Sequence, residues 1–254
     1  MEFRKSFSLA WNKLGLSMLC VLIDLLFFFA LGFFTAPISA RIGMLLVNFT
    51  AIFSIGIKNL DRSDSLSSIL FGTDVLPFWK SFLSYALLFV LIIYLVYVIF
   101  QSFAWFVSMK IAGKKILVWP FFRKFLLFNL FWFLLFVVYN IIDLLSDLSA
   151  VLGSRGSSVV AVICNLFLLI IVYFAVVSYI RMNFKSAFVL GWKQYKQILP
   201  SFLVVFLYFF ALNIILPPLF NVNYYLGAVL GIVLFLPALV LARVFMILAV
   251  ERMK

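Results

Sequence analysis

The sequence predicts an all-α fold, a polytopic bundle of transmembrane helices. Apolar residues make up 67% of the chain and charged residues 11%, whereas a soluble domain has about 45–50% and about 25%. The apolar residues form continuous runs, such as 82–100, instead of alternating with polar residues as barrel strands do. Such runs are long enough for a helix to cross the ~30 Å hydrocarbon core at about 1.5 Å per residue.

Six apolar runs predict six spans within one transmembrane domain that covers residues 1–254. The spans lie at about 14–34, 81–107, 125–146, 159–180, 201–220 and 224–249. The first run follows a basic segment, as the core of a signal peptide does, but it exceeds the about 7–15 apolar residues of such a core. We therefore interpret it as a retained span. The stretch 42–57 is shorter and more polar, which predicts a short re-entrant or interfacial helix there.

The positions of the basic residues predict which side of the membrane each segment faces. The net charge is +12, and the segments 108–124 and 181–200 carry several lysines and arginines without an acid. Both chain ends are also basic, and such segments are retained in the cytoplasm. Six spans with both termini cytoplasmic satisfy this rule if 42–57 does not cross. The alternative has seven spans and an external N-terminus.

The basic charge also bears on the partners of the chain. Retention of basic loops and attraction to anionic lipid headgroups explain it better than nucleic acid does. We expect the lipid bilayer as partner, with a second copy of the chain or other membrane proteins as further candidates. The chain has no histidine, and Cys20 and Cys164 lie inside predicted spans without a metal-binding motif. No metal, cofactor, catalytic residue or enzymatic activity is therefore expected.

Two charged residues lie deep inside predicted spans, where they are costly. Asp24 is near the middle of the first span, and a carboxylate there costs about 2.5–3.5 kcal/mol. Arg243 is in the last span at an overlapping depth when both termini share one side. The first hypothesis is a buried Asp24–Arg243 pair that joins these helices. The alternatives are a proton or ion relay, and a snorkelling arginine with a protonated aspartate.

A further polar group follows one helical stripe of the third span. Its members are Asn129, Asn140, Asp143 and Asp147, at spacings of eleven, three and four residues. The first interpretation is hydrogen bonding between helices, with the last two at a solvated rim. The alternative is the lining of a polar cavity that opens to the outside.

Small residues at the start of the last span predict close helix packing. Gly227 and Gly231 form a GxxxG motif, and Ala238 and Ala242 continue the same face. Packing within the chain is the first expectation, and dimerisation is the second. Pro237 is expected to kink this helix, and the two prolines at 217–218 to end the preceding one.

The two segments 3–11 and 184–192, FRKSFSLAW and FKSAFVLGW, repeat phenylalanine, leucine and tryptophan at the same spacing. Each leads into a span, and each predicts an amphipathic helix at the membrane interface. These basic, aromatic entry helices resemble those of uncharacterised six-helix membrane proteins of prokaryotes. Among these proteins is the membrane domain fused to some glycerophosphodiester phosphodiesterases. The resemblance implies a fold and no activity.

Together these features favour a multi-pass integral membrane protein with a structural, assembly or lipid-organising role. The alternative is a transporter of small molecules or ions that uses Asp24 and Arg243 within the bundle. A water-accessible cavity that joins this pair to Asn129 and Asn140 would favour transport, and a sealed bundle would not.

Overall fold

The computed structural model describes residues 2–58, 76–151 and 157–252, except the side chains of 52–58, 144–151, 157–161 and Tyr224. These ranges contain eight helices and no strand. The helices are α1 Glu2–Asn12, α2 Leu14–Lys58, α3 Leu76–Ile111, α4 Val118–Val151, α5 Ser157–Arg181, α6 Phe184–Lys193, α7 Tyr195–Val222 and α8 Tyr224–Glu251. Six of them are long and apolar enough to cross a membrane. The predicted fold class is confirmed, and the chain is a multi-pass membrane protein.

The short helices α1 and α6 precede α2 and α7, as the repeated entry segments predict. In each helix the small residues at equivalent positions are buried: Ser6 and Ala10 in α1, Ala187 and Gly191 in α6. Trp11 and Trp192, also equivalent, are 66% and 77% exposed. Exposed indole rings on an amphipathic helix are typical of a membrane–water interface.

The helix α2 is longer than the sequence predicts. It runs through 45 residues, or about 68 Å, and includes the stretch 42–57. The prediction of a separate helix at 42–57 is therefore wrong, because this stretch continues the helix of the first span. Pro37 removes one backbone donor from α2, yet helix remains the conformation that satisfies the other backbone groups in lipid. For the same reason α7 continues through Pro217 and Pro218 to Val222, which corrects the predicted end of that helix.

The described chain divides into two compact units. The first unit comprises Met1–Leu25 and Phe100–Lys254. Its most extensive packing joins α7 with α8 and α4 with α5. Its core contains fully buried apolar side chains from α3, α4, α7 and α8: Met109, Ile111, Phe125, Ile198, Val244 and Ile247.

The second unit, Leu26–Ile99, contains the remainder of α2 and most of α3. The ring centroids of Phe27 and Tyr97 are 6.1 Å apart, and those of Phe49 and Phe78 are 4.4 Å apart. As the residue number rises along α2 it falls along α3, so the two helices run antiparallel. Many large apolar side chains point outward, including Phe29, which is 70% exposed, as expected for a surface that faces lipid.

Lysines of the first unit cap the last turns of α3 and α5. The Lys13 ammonium donates to the carbonyl oxygens of Lys110 at 2.8 Å and Ile111 at 3.0 Å. The Lys114 ammonium donates to the carbonyl oxygen of Ile180 at 3.3 Å. The last carbonyl groups of a helix have no donor within the helix, and the C-terminal end attracts cations. These lysines therefore stabilise the helix ends.

The end of α8 lies at the same place. Arg181 donates to the carbonyl oxygen of Val250 at 3.1 Å, and Lys114 pairs with Glu251 at 2.6 Å. The C-terminal ends of α3, α5 and α8 thus meet at one end of the first unit, which we call the basic end. Residues of the segments 2–13, 108–124 and 181–200 and the last described residues, 250–252, meet there. An even number of spans between these segments requires this arrangement.

Candidate functional site

A buried ion pair in the first unit joins Asp24 of α2 to Arg243 of α8. Arg243 Nη1 donates to Asp24 Oδ2 and Nη2 donates to Oδ1, each at 2.7 Å. Asp24 is 0% exposed and Arg243 is 7% exposed. Two parallel charge-assisted bonds are the strongest geometry that a guanidinium and a carboxylate form. The pair that the sequence predicts is present.

The positions of both residues along their helices bring the pair together. Asp24 lies ten residues after Leu14, where α2 begins, and Arg243 lies eight residues before Glu251, where α8 ends. At about 1.5 Å per residue, Asp24 lies about 15 Å and Arg243 about 12 Å from the basic end. The flexible arginine side chain spans the small difference.

Three further side chains complete the site. Gln101 of α3 accepts a bond from Arg243 Nη2 at 2.9 Å, and Cys20 Sγ lies 3.6 Å from Nη1. The Cys20 thiol is also 3.5 Å from Ser108 Oγ. The sequence analysis missed Gln101. Its position along the helix could have indicated it. Gln101 lies ten residues before the end of α3 at Ile111, and Asp24 lies the same distance from the start of α2.

This arrangement can hold three helices in register, and both of its charged side chains are buried. Removing the charges of Asp24 and Arg243 from water is costly, and the bidentate contact and the Gln101 amide offset that cost. Two cavities of about 310 and about 640 Å³ lie in the first unit, and neither is lined by Asp24, Arg243 or Gln101. In the part of the chain that the structure describes, no three cysteine, aspartate or glutamate side chains are grouped to hold a metal ion.

A second set of buried hydrogen bonds joins α4 to α5. The Tyr179 hydroxyl donates to Asn129 Oδ1 at 2.6 Å, and Trp132 Nε1 donates to Ser178 Oγ at 2.8 Å. Asn129 is 1% exposed. The predicted interhelical hydrogen bonding is confirmed for Asn129. Its partner is Tyr179, whereas Asp24 and Arg243 bind each other.

The residues of the predicted polar stripe on α4 do not line a common cavity. Asn140 is exposed and donates to the Phe136 carbonyl oxygen of its own helix at 2.7 Å. Asp143 is half-buried, and the side chain of Asp147 lies outside the described residues. The buried face of α4 follows a heptad-like spacing: Phe121, Phe125, Phe128, Trp132 and Tyr139. With about 3.5 residues per turn, eleven residues turn Asn140 about 50° away from Asn129.

The predicted small-residue face of α8 has two different uses. A Cβ atom on Gly227 would lie 2.8 Å from Phe220 Cγ of α7, while one on Gly231 would lie 3.9 Å from Phe220 Cζ. Gly227 thus permits close packing within the chain, the first of the two expectations. Ala238 and Ala242 instead line the apolar cavity of about 310 Å³ between α7 and α8.

Comparison of the chain with protein families, curated proteins and solved structures finds no match. The resemblance to prokaryotic six-helix membrane proteins therefore stays a prediction.

Proposed function

We propose that the chain is a multi-pass protein of the cell membrane, with both termini in the cytoplasm, that organises membrane structure and lipids without catalysing a reaction. The observation that carries this proposal is the buried ion pair. Asp24 and Arg243 bind each other and Gln101, so the two charges serve the bundle. A structural role needs such a stable bundle and an interfacial surface.

The basic end supports the orientation and the lipid-facing role. It carries both entry helices, with the exposed rings of Trp11 and Trp192 and the exposed lysines Lys185 and Lys193. Basic, aromatic segments of this kind are retained in the cytoplasm and attract the anionic lipids of that leaflet. The preferred partner is therefore the lipid bilayer.

Transport through the bundle receives less support from the same geometry. A transporter needs a polar site near the midplane that water can reach from one side. The apolar cavity is lined by residues such as Val204, Phe209 and Leu241, and the larger cavity lies among lysines of the basic end. Asn129 and Asn140 also lie in different environments, one buried and one exposed.

The native thiol beside the ion pair tests the proposal. The chain has two cysteines, so Cys164→Ser leaves Cys20 as the sole thiol. In sealed liposomes, we expect a charged, water-soluble methanethiosulfonate reagent to leave Cys20 unmodified until the protein is denatured. A matched control carries Ser8→Cys, an exposed position of α1, with Cys20→Ser and Cys164→Ser. It should react rapidly in the molecules whose basic end faces the outside of the liposome.

The control also reports orientation. In intact cells the Ser8→Cys thiol should react only after the membrane is permeabilised, because α1 is proposed to be cytoplasmic. Reaction in sealed cells would contradict the orientation. Rapid modification of Cys20 in the native protein would show a water path to the pair and would favour transport instead.

A further inference from the structure

A cavity of about 640 Å³ at the basic end is lined by four lysines. They are Lys13, Lys110, Lys114 and Lys115. Lys13 lies between α1 and α2, and the other three lie where α3 ends and the chain turns towards α4. The cavity therefore gathers positive charge from two segments that are about a hundred residues apart in sequence. We call it the lysine pocket.

Backbone geometry builds one wall of the lysine pocket. Gly113 has φ +87°, a conformation that glycine adopts without steric cost. Its N–H donates to the Lys110 carbonyl oxygen at 3.1 Å, and the N–H of Lys114 donates to that of Met109 at 3.0 Å. These two bonds form a Schellman motif. The motif turns the chain back beside the last turn of α3, so Lys114 and Lys115 line the same cavity as Lys110.

The four lysines have different partners. Lys13 binds carbonyl groups at the end of α3, and Lys114 pairs with Glu251. Lys110 and Lys115 are exposed, and the Lys110 ammonium lies 4.8 Å from the centroid of the Phe106 ring. Four lysines and one paired glutamate give 4 − 1 = 3 positive charges around the pocket. The two exposed ammonium groups remain accessible to an anion.

Apolar side chains border the same pocket. Leu16 in the first turn of α2 and Leu117 just before α4 line it together with the lysines, and Leu117 is 76% exposed. A free anion gains nothing from these leucines, whereas an amphiphile can place its phosphate at the lysines and its glycerol and first methylene groups at the leucines. The lining therefore fits a lipid headgroup better than free phosphate.

We propose that the lysine pocket binds the headgroup phosphate of an anionic phospholipid from the cytoplasmic leaflet. Lys110 and Lys115 contact the phosphate, while Lys13 and Lys114 position the helix ends that form the pocket. The proposal rests on the orientation and the lipid-organising role proposed above, and it adds a specific site and a ligand class to them.

The test compares two double variants of equal charge in nanodiscs of equimolar phosphatidylcholine and phosphatidylglycerol. The pocket variant is Lys110→Gln with Lys115→Gln. The control is Lys185→Gln with Lys193→Gln, two exposed lysines of α6 that do not line the pocket. Spin-labelled lipids measure the preference for phosphatidylglycerol over phosphatidylcholine. A lysine that only attracts the anionic surface contributes up to about fivefold. We therefore expect both variants to lose part of the preference, and the pocket variant to lose at least about fivefold more than the control.

Two further measurements separate the outcomes. The double variant Lys110→Arg with Lys115→Arg keeps both charges and should retain the lipid preference. Inorganic phosphate, added up to the lipid concentration, should not displace the lipid. Displacement by phosphate would overturn the lipid assignment in favour of a free phosphate ligand.

Equal losses in the pocket and control variants would overturn the site, while general attraction of the basic end for anionic lipid would stand. No preference for phosphatidylglycerol in the unmodified protein would overturn both the site and that attraction. The Cys20 modification experiment does not depend on lipid charge. It therefore still tests the closed bundle after either result.

Discussion

The two units of the molecule use their polar side chains differently. In the first unit, polar groups join helices: Arg243 binds Asp24 and Gln101, and Tyr179 binds Asn129. In the described part of the second unit, three hydroxyl groups bind their own helix. Thr35, Thr50 and Ser84 each donate to the carbonyl oxygen four residues earlier, at 2.6, 2.6 and 2.8 Å.

The difference shows which interactions determine helix association in each unit. In lipid, an apolar side chain gains little by exchanging a lipid contact for a helix contact, so polar bonds and close packing determine which helices associate. The first unit has both. The second unit has ring contacts between α2 and α3, such as Phe49 with Phe78. We therefore expect substitutions to cost more in the first unit than in the second.

The largest expected effect is the loss of one partner of the ion pair. Asp24→Asn or Arg243→Gln leaves the other charge buried without its counter-ion, which costs about 3–5 kcal/mol. Unfolding in detergent by increasing dodecyl sulfate, followed by tryptophan fluorescence, measures this loss. The double variant should lose less than the sum of the single variants, because it leaves no unpaired charge.

The matched control in the second unit is Thr50→Val, which removes a bond within one helix. It should change the free energy of unfolding by less than about 0.5 kcal/mol. If both single substitutions in the ion pair behave like this control, and the double variant adds nothing, the pair does not stabilise the bundle and the comparison between the units fails.

A smaller effect is expected at the contact between α7 and α8. Gly227→Ala would place Cβ 2.9 Å from the Phe220 Cα and 2.8 Å from its Cγ, so backbone must move at a cost of about 1–3 kcal/mol. Gly231→Ala places Cβ 3.9 Å from the Phe220 ring, an ordinary contact, and alanine favours helix over glycine. The same unfolding measurement should therefore show loss for the first variant and none for the second.

This pair of variants also tests the alternative use of the GxxxG motif. If the motif forms a dimer, both alanines should shift the monomer–dimer equilibrium measured by analytical ultracentrifugation in detergent. A loss of stability at Gly227 with an unchanged oligomeric state supports packing within the chain. Equal losses at both glycines would contradict the packing difference.

Six helices and the ion pair could be predicted because both depend on quantities counted along the chain. Hydropathy sets the spans, and distance from the basic segments sets the depths of Asp24 and Arg243. The continuation of α2 through Pro37 could not be predicted in this way, since it depends on helix being the conformation that satisfies the backbone in lipid.

The partners of individual side chains could be identified only from the tertiary structure. The Asn140 side chain leaves the buried face because the packing of α4 follows a heptad-like spacing, which pairwise contacts with α5 determine. The lysines of the basic end indicated orientation in the sequence. Their bonds to the last carbonyl groups of α3 and α5 became visible only when Lys13 and Lys114 were placed beside those helices.

The smallest expected effect lies in the second unit, at the stacked rings of Phe49 and Phe78. Phe49→Leu keeps the apolar volume but removes a ring pair worth about 0.5–1.5 kcal/mol. The control is Phe29→Leu, since Phe29 is 70% exposed and stacks on Phe33 of the same helix. Hydrogen–deuterium exchange should rise at the start of α3 in the first variant and stay unchanged in the control. Because polar bonds hold the first unit independently of these rings, exchange around Arg243 should not change, and a rise there would show that the two units do not differ in what stabilises them.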